Sequence, residues 1–352
     1  MKGIVCEEVG SFVMVDQLPD PEPQPGMAVV AIRRIGICGT DYHAHQGNQP
    51  FFTYPRILGH ELAGIIEQIG DNVEGLKEGD PVSVIPYLHC GHCIACRRGR
   101  TNCCVEMKVL GVHVDGGMRE RISVPVTHLI PANGLALDEA ALVEPLAIGA
   151  HAVRRSGLRE GQTALVIGGG PIGLGVMAFA KKTGAKVIAM DINEERLAVS
   201  RKWAGVDHTV VAGDEALSQL LSLTNGDLPE VVFDATGNAR SMMNAFAFTS
   251  HGGTLVYVGL VKADITFHDP EFHKRELTLM GSRNATRADF EYVLEAIRSK
   301  AIDANGYITH RSSFDGMIEH FAGWLKPESK VIKAVVELGE PAFFSGWTMG
   351  ET

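Results

Sequence analysis

The chain has 352 residues, 45% hydrophobic and 21% charged, ordinary for a soluble globular protein and long enough for two domains with their own cores. Its 32 basic and 42 acidic residues give a net charge of −10, which argues against a nucleic-acid surface, and no run of five like charges marks an interaction tail. Glu7 and Glu8 stand where a secretory signal would need an apolar core, and glycines and Pro171 interrupt the uncharged stretch Ala164 to Ala180. A cytoplasmic protein with no membrane span is expected, so its seven cysteines are read as reduced and available for metal or catalytic chemistry.

Residues 1 to about 145 read as β-rich and irregular, with strands expected at Val29–Ile32, Gly64–Ile69 and Val82–Pro86. Short β-prone runs punctuated by Gly and Pro suit a distorted barrel rather than a helical bundle. The Pro19–Gly26 stretch is a turn-forming connector. Cys38 lies in Gly-Ile-Cys-Gly-Thr-Asp-Tyr-His (Gly36 to His43), and His60-Glu61 follows Gly59. Thiolate, imidazole and carboxylate are all zinc ligands, and three protein ligands plus water or substrate describe a catalytic site. Singly, each residue has a plainer reading, a small core cysteine or a hydrogen-bonded histidine.

Cys90-x2-Cys93-x2-Cys96-x7-Cys104 is the sharpest metal signal. Four thiolates on one compact loop close a tetrahedron around zinc with no open position, a structural site. Cys103 beside Cys104 competes as fourth ligand, and the alternative is a loop of unliganded thiols.

From a helix expected at Glu144–Arg155 onward the pattern changes to alternating strands and helices. The strands are expected at Ala164–Ile167, Lys186–Met190, Thr209–Val211, Val231–Asp234, Leu255–Val258 and Thr278–Met280, the signature of a doubly wound parallel sheet. Gly168, Gly170 and Gly173 have G-x-G-x-x-G spacing between a strand and a helix. A pyrophosphate on that turn meets the N–H groups of the helix start near Ile172. Asp191 ends the next strand, where a carboxylate binds ribose hydroxyls and repels a 2′-phosphate, favouring NAD over NADP. A helix is expected over Arg287–Lys300, with Thr286 and Asp289 at capping-box spacing and Phe290, Val293, Leu294 and Ile297 as its apolar stripe. A last strand near Val331–Glu337 is expected to rejoin the first domain, and the tail Phe343–Thr352 has no assignment.

Cys38-Gly39-Thr40-Asp41, Gly59-His60-Glu61, the four-cysteine loop, Val143-Glu144-Pro145-Leu146 and Gly168–Gly173 occur in an order that resembles the zinc-dependent medium-chain dehydrogenases. The resemblance covers nearly the whole chain. It is nearest the sorbitol and threonine dehydrogenase branch, because Glu144 stands where liver-type alcohol dehydrogenases carry a second zinc cysteine. The resemblance implies an α/β architecture: a GroES-like irregular β-barrel catalytic domain (1–145 and 286–352) and a Rossmann NAD-binding domain (146–285), with the active site in the cleft between them. It implies a homo-oligomer, tetramer or dimer. It also implies a catalytic zinc on Cys38 and His60 with one or both of Glu61 and Glu144. Thr40 and His43 match the family's proton relay, the bland alternative being a helix-capping threonine and an exposed histidine. Arg196 matches a position beside the adenosine, and Val258-Gly259-Leu260 and Gly281-Ser282-Arg283 match segments on the nicotinamide side.

An alcohol is a poor hydride donor until it loses its proton, and a Lewis-acidic zinc favours that loss. The hydride chemistry belongs to the nicotinamide. Among substrates, the chain looks most like bacterial sugar-acid dehydrogenases of the L-galactonate and L-gulonate 5-dehydrogenase type. That likeness rests on Gly47–Phe52, Gly111-Val112-His113, Asp269–Lys274 and Gly281–Thr286. An aldonate needs a cation for its carboxylate. Arg283 binds one bidentately, with Asn284 and Asn48 as polar neighbours; alternatively Arg283 only pairs with Glu144. Polyol or L-threonine oxidation with the same metal and cofactor is the nearest competing reading. A non-catalytic nucleotide-binding scaffold is the remaining one, and it would not need Cys38, His60, Glu61 and Glu144.

Overall fold

Met27–Ile37 is the longest strand and is buried or half-buried along its whole length. Its apolar side chains outnumber its polar ones, as a strand covered on both faces requires. The computed structural model describes residues 1–49, 52–71 and 73–339; Pro50 and Phe51 of the Gly47–Phe52 motif and the tail Phe343–Thr352 lie outside the described residues. The chain divides into two compact units.

The first unit comprises Met1–Leu88, Lys108–Leu142 and the residues from Ile308 onward. Its main sheet is mixed, with Met27–Ile37 flanked on one side by Glu61–Ile69 and on the other by Ala334–Glu337, both antiparallel to it. Arg121–Pro125 also pairs with the central strand, and Pro81–Val84 and Leu129–Pro131 extend the Glu61–Ile69 side. The register shifts twice along the Met27–Ile37 and Glu61–Ile69 pair, the bending that an irregular barrel needs. Ile4, Val30, Ile32, Leu58, Leu62 and Val82 lie in its core. The C-terminal strand begins at Ala334, later than the expected Val331. The reason is local: the Ile332 and Lys333 N–H groups donate to Thr309 Oγ1 at 3.0 and 3.3 Å instead of to a neighbouring strand.

The second unit comprises His89–Met107 and Val143–Tyr307. Its six strands are all parallel, in spatial order His208–Val211, Lys186–Asp191, Thr163–Ile167, Val231–Asp234, Thr254–Tyr257 and Thr278–Gly281. By sequence that order is 3-2-1-4-5-6, which puts the topological switch point between the first and fourth strands, where such sheets take ligands. Leu165, Ile188, Val232 and Leu255 pack as consecutive buried residues across the sheet. The helix Arg287–Arg298 buries Phe290, Val293, Leu294 and Ile297 as its periodicity demands. It stops before Lys300, which turns left-handed with φ 56°.

Candidate active site

Cys38 leaves the central strand of the first unit and is the N-cap of the helix Gly39–His45. Asp41, fully buried three residues on, accepts the Cys38 N–H at 2.9 Å through Oδ2 and the Gly59 N–H at 3.4 Å through Oδ1. The same Oδ1 lies 3.8 Å from His60 Nδ1. Burial pushes the Asp41 carboxyl above its ordinary value, against the pull of His60 and the Cys38 N–H. One carboxylate therefore fixes the backbone at Cys38 and at the residue before His60. Its signal was present in the sequence as an acid at capping-box distance from Cys38.

His60 and Glu61 follow at the start of the strand Glu61–Ile69. One donor atom each from Cys38, His60 and Glu61 lies within 4.8 Å of the others. Zinc bonds of about 2.0–2.3 Å place tetrahedral donors roughly 3.4–3.8 Å apart, inside that limit, so the set suits the ion. Glu61 is fully buried and bridged by Lys333, whose Nζ lies 2.6 and 2.7 Å from its two oxygens. Lys333 stands 272 positions away along the chain, and no local pattern announces it.

Thr40 is half-buried inside the Gly39–His45 helix and is not its cap, and His43 is exposed. Asn48 is also exposed, and its N–H donates to the His43 carbonyl at 2.8 Å. Glu144 belongs to the second unit, buried in the first turn of the helix Val143–Ser156.

The four-cysteine loop forms a closed cluster: one sulfur each from Cys90, Cys93, Cys96 and Cys104 lies within 4.8 Å of the others, and Cys93 and Cys104 are 4.0 Å apart. Zinc–sulfur bonds of about 2.3 Å require roughly 3.8 Å between sulfurs, so the four thiolates fit a structural zinc. Cys103 is exposed and outside the cluster. Backbone N–H groups of Cys96 and Val105 draw the Cys93 thiol down to about 6, while burial and the neighbouring Cys93 thiol push Cys96 up, so the proton shared within the cluster sits on Cys96.

A cavity of about 620 Å³ opens beside the switch point of the parallel sheet, lined by Gly168, Gly170, Asp191, Arg196, Asn238 and Arg240 among others. Gly168 turns at φ 102° and Gly170 caps the helix Pro171–Lys182, which carries Ile172 and Gly173 in its first turn. A Cβ on Gly173 would lie 1.7 Å from the Gly168 carbonyl oxygen, so helix and strand approach as closely as the glycine fingerprint implies. Asp191 accepts the Gly169 N–H at 2.6 Å and the Asn193 N–H at 2.8 Å, one on each oxygen. It thus also holds the turn itself. Asn238 and Arg240 come from the connection after the fourth strand of the sheet, which the glycine fingerprint does not cover.

The N–H groups of Val258 and Gly259 both donate to the Asp234 carbonyl, at 2.9 and 3.0 Å, and Leu260 is exposed. Ser282, Arg283 and Asn284 follow the edge strand Thr278–Gly281. Ser282 Oγ and Asn284 Nδ2 are buried without a hydrogen-bond partner among the described residues, and Asn284 is left-handed at φ 53°. Among the described residues Arg283 makes no ion pair, and its side chain is exposed. Its carbonyl accepts Asn102 Nδ2 at 2.8 Å, while Asn102 also meets His151 Nε2 at 3.1 Å. Asn102 stands between Cys96 and Cys104, so the loop that carries the cysteines and the 281–286 segment are joined by a polar network within the second unit.

Among the described residues no helix is long and apolar enough to cross a membrane. Residues 24–134 match the alcohol dehydrogenase GroES-like domain family, and residues 171–299 match the zinc-binding dehydrogenase family. The chain is 44% identical over 339 residues to the L-galactonate-5-dehydrogenase of Escherichia coli, covering 96% of this chain and 98% of that protein. It is 33% identical to the 2-dehydro-3-deoxy-L-galactonate 5-dehydrogenase of Pseudoalteromonas atlantica, over 90% of this chain and 92% of the relative. A solved Escherichia coli alcohol dehydrogenase structure, complexed with NADH, is similar at 28% identity with a TM-score of 0.89, covering 96% of this chain and 99% of that one. Likeness on this scale in both units, with a glycine-turn cavity in one and a metal-competent donor set in the other, shows that the chain belongs to the zinc-dependent medium-chain dehydrogenases, oxidoreductases acting on CH–OH donors.

Proposed function

We propose that this chain is an NAD-dependent dehydrogenase of sugar acids, moving hydride between a secondary alcohol of an aldonate such as L-galactonate or L-gulonate and the nicotinamide. The grouping of Cys38, His60 and Glu61 around one point carries the reading. It supports a catalytic metal held by Cys38 and His60, with Glu61 or Glu144 completing the sphere. When bound, zinc supplies Lewis acidity toward the substrate oxygen. Asp41 orients the ligands by fixing the Cys38 and Gly59 backbone. Thr40 and His43, three apart on one helix face, carry the alcohol proton toward solvent.

Gly168, Gly170, Ile172 and Gly173 cradle the pyrophosphate, Asp191 takes the ribose hydroxyls, and Arg196 lies against the adenosine. Val258, Gly259, Leu260, Ser282 and Arg283 line the nicotinamide side. The exposed Arg283 guanidinium takes the aldonate carboxylate, and Asn284 and Asn48 take hydroxyls. Asn284 Nδ2, buried and without a partner among the described residues, supports that role. The four-cysteine zinc is structural. The enzyme works as a cytoplasmic homo-oligomer, tetramer or dimer, consistent with an exposed edge strand at Thr278–Gly281.

A panel of aldonates, polyols and L-threonine, followed by NADH formation, tests the assignment. Turnover is expected to be highest on an aldonate. Turnover of threonine or polyols alone would overturn it.

A further inference from the structure

Cys90 is one corner of the four-cysteine cluster and is only half-buried, whereas Cys93 and Cys104 are buried. It is also a corner of a second group: one donor atom each from Cys90, His92 and Glu106 lies within 4.8 Å of the others. His92 and Glu106 are exposed, so this group faces outward from the sulfurs. Local backbone builds it. Gly91 turns left-handed at φ 80°, and the His92 ring folds back so that Nδ1 lies 2.9 Å from the Cys90 carbonyl oxygen. Glu106 is tied to the cluster from the other end of the loop, its N–H donating to Cys104 Sγ at 3.4 Å.

A carbonyl can only accept, so Nδ1 carries the ring proton, and the neutral imidazole is left with a lone pair on Nε2. Nε2 stands 3.4 Å from Glu106 Oε1, two acceptors facing each other, an arrangement that a shared cation resolves. Zinc bonds of about 2.0–2.1 Å to nitrogen and oxygen set tetrahedral donors roughly 3.3–3.4 Å apart, which matches the spacing of this pair. A set of four thiolates has no open position, and a metal ion reaches it one bond at a time. We propose that Cys90, His92 and Glu106 form a loading site for a divalent transition metal, through which zinc enters and leaves the four-cysteine cluster. This rests on the reading of the four cysteines as a zinc site. Three protein ligands leave a position for water, as an entry site needs. Cys90 gives up its proton when the ion arrives and keeps its bond throughout. The bonds from His92, Glu106 and water break as Cys93, Cys96 and Cys104 form theirs, and the thiol protons of the incoming cysteines pass to solvent.

Cadmium(II) added in excess to the zinc-loaded full-length chain tests this, because thiolate-to-metal charge-transfer absorption reports its entry without turnover. A Cys38→Ala parent keeps that other thiolate from contributing. His92→Ala and Glu106→Gln are each expected to slow the exchange about tenfold, with zinc content and final absorption unchanged. His92→Cys, which keeps a metal donor at the position, restores the rate. A rate lowered by Glu106→Gln alone, and equalised by added salt, would overturn the proposal in favour of simple attraction of cations. Rates within about twofold of the parent in both variants would overturn it too, leaving His92 and Glu106 as a surface ion pair. Failure of the underlying zinc reading is separate: Cys96→Ala would then reach the parent's final absorption.

Discussion

Removing Asp289 is a direct test of the network behind the 281–286 segment. The carboxylate is 2% exposed and accepts from Thr286 N at 2.8 Å, Thr286 Oγ1 at 2.7 Å and Arg154 Nε at 2.7 Å. His151 Nδ1 stands 2.9 Å from its Oδ2. Burial alone would raise its pKa, but the bonds from His151, Arg154 and Thr286 together hold it well below the usual carboxylate range. Breaking one side of a buried pair costs about 3–5 kcal/mol. The Arg154 side chain is 59% exposed and regains water, which puts Asp289→Ala near the lower end, about 3 kcal/mol.

Hydrogen exchange is the assay, read on amides of the Arg287–Arg298 helix against wild type at the same pH. A loss of about 3 kcal/mol is roughly a hundredfold faster exchange where local opening governs it. The pH sign follows from the depressed folded pKa. The contribution is fully present above the unfolded carboxyl value near 3.9 and is lost as pH falls through the folded value. The gap between variant and wild type is therefore constant from pH 7 to about 4 and closes below that. Exchange within about threefold of wild type at pH 7, or a gap that widens in acid, would refute the argument.

Cys38→Ala is expected to abolish turnover while NADH still quenches or enhances fluorescence with unchanged affinity; comparable turnover would exclude a catalytic metal there. Asp191→Ala removes one charge-assisted hydrogen bond from the glycine turn, one from the Asn193 N–H, and the proposed ribose contact together. Turn loosening weakens both cofactors alike, so the informative quantity is the ratio: NAD is expected to lose about 2 kcal/mol more than NADP, roughly thirtyfold, by calorimetric titration. An unchanged ratio would remove the ribose role. Cys96→Ala is expected to lose one zinc equivalent per chain by elemental analysis and to make the His89–Met107 loop susceptible to protease. Because Asn102 of that loop bonds the Arg283 carbonyl, KM for the sugar acid rises as well, and full zinc content in the variant would defeat the assignment.

Much of this molecule was legible because its signals are local. A glycine turn, a capping box from Thr286 to Asp289 and four cysteines at short spacing each close within a few residues of chain. Alternating apolar runs likewise set the strands of the parallel sheet to within a residue or two. Asp41 is equally local, an acid at capping-box spacing from Cys38. Arg283 shows the opposite case: its identity suggests either a carboxylate anchor or a partner for Glu144, and only the folded chain puts its side chain at the surface with no ion pair among the described residues.

Residue types and their spacing by themselves determined the metal chemistry, the dinucleotide turn and the two kinds of unit, because thiolates, glycines and periodicity act over one turn or one strand. Tertiary structure alone decided that Lys333 answers Glu61 across Gly36 and that Asn102 answers His151 and the Arg283 carbonyl. Those partners are far apart in the chain and meet only through sheet register and helix packing, and a buried charge takes whichever opposite charge the register delivers.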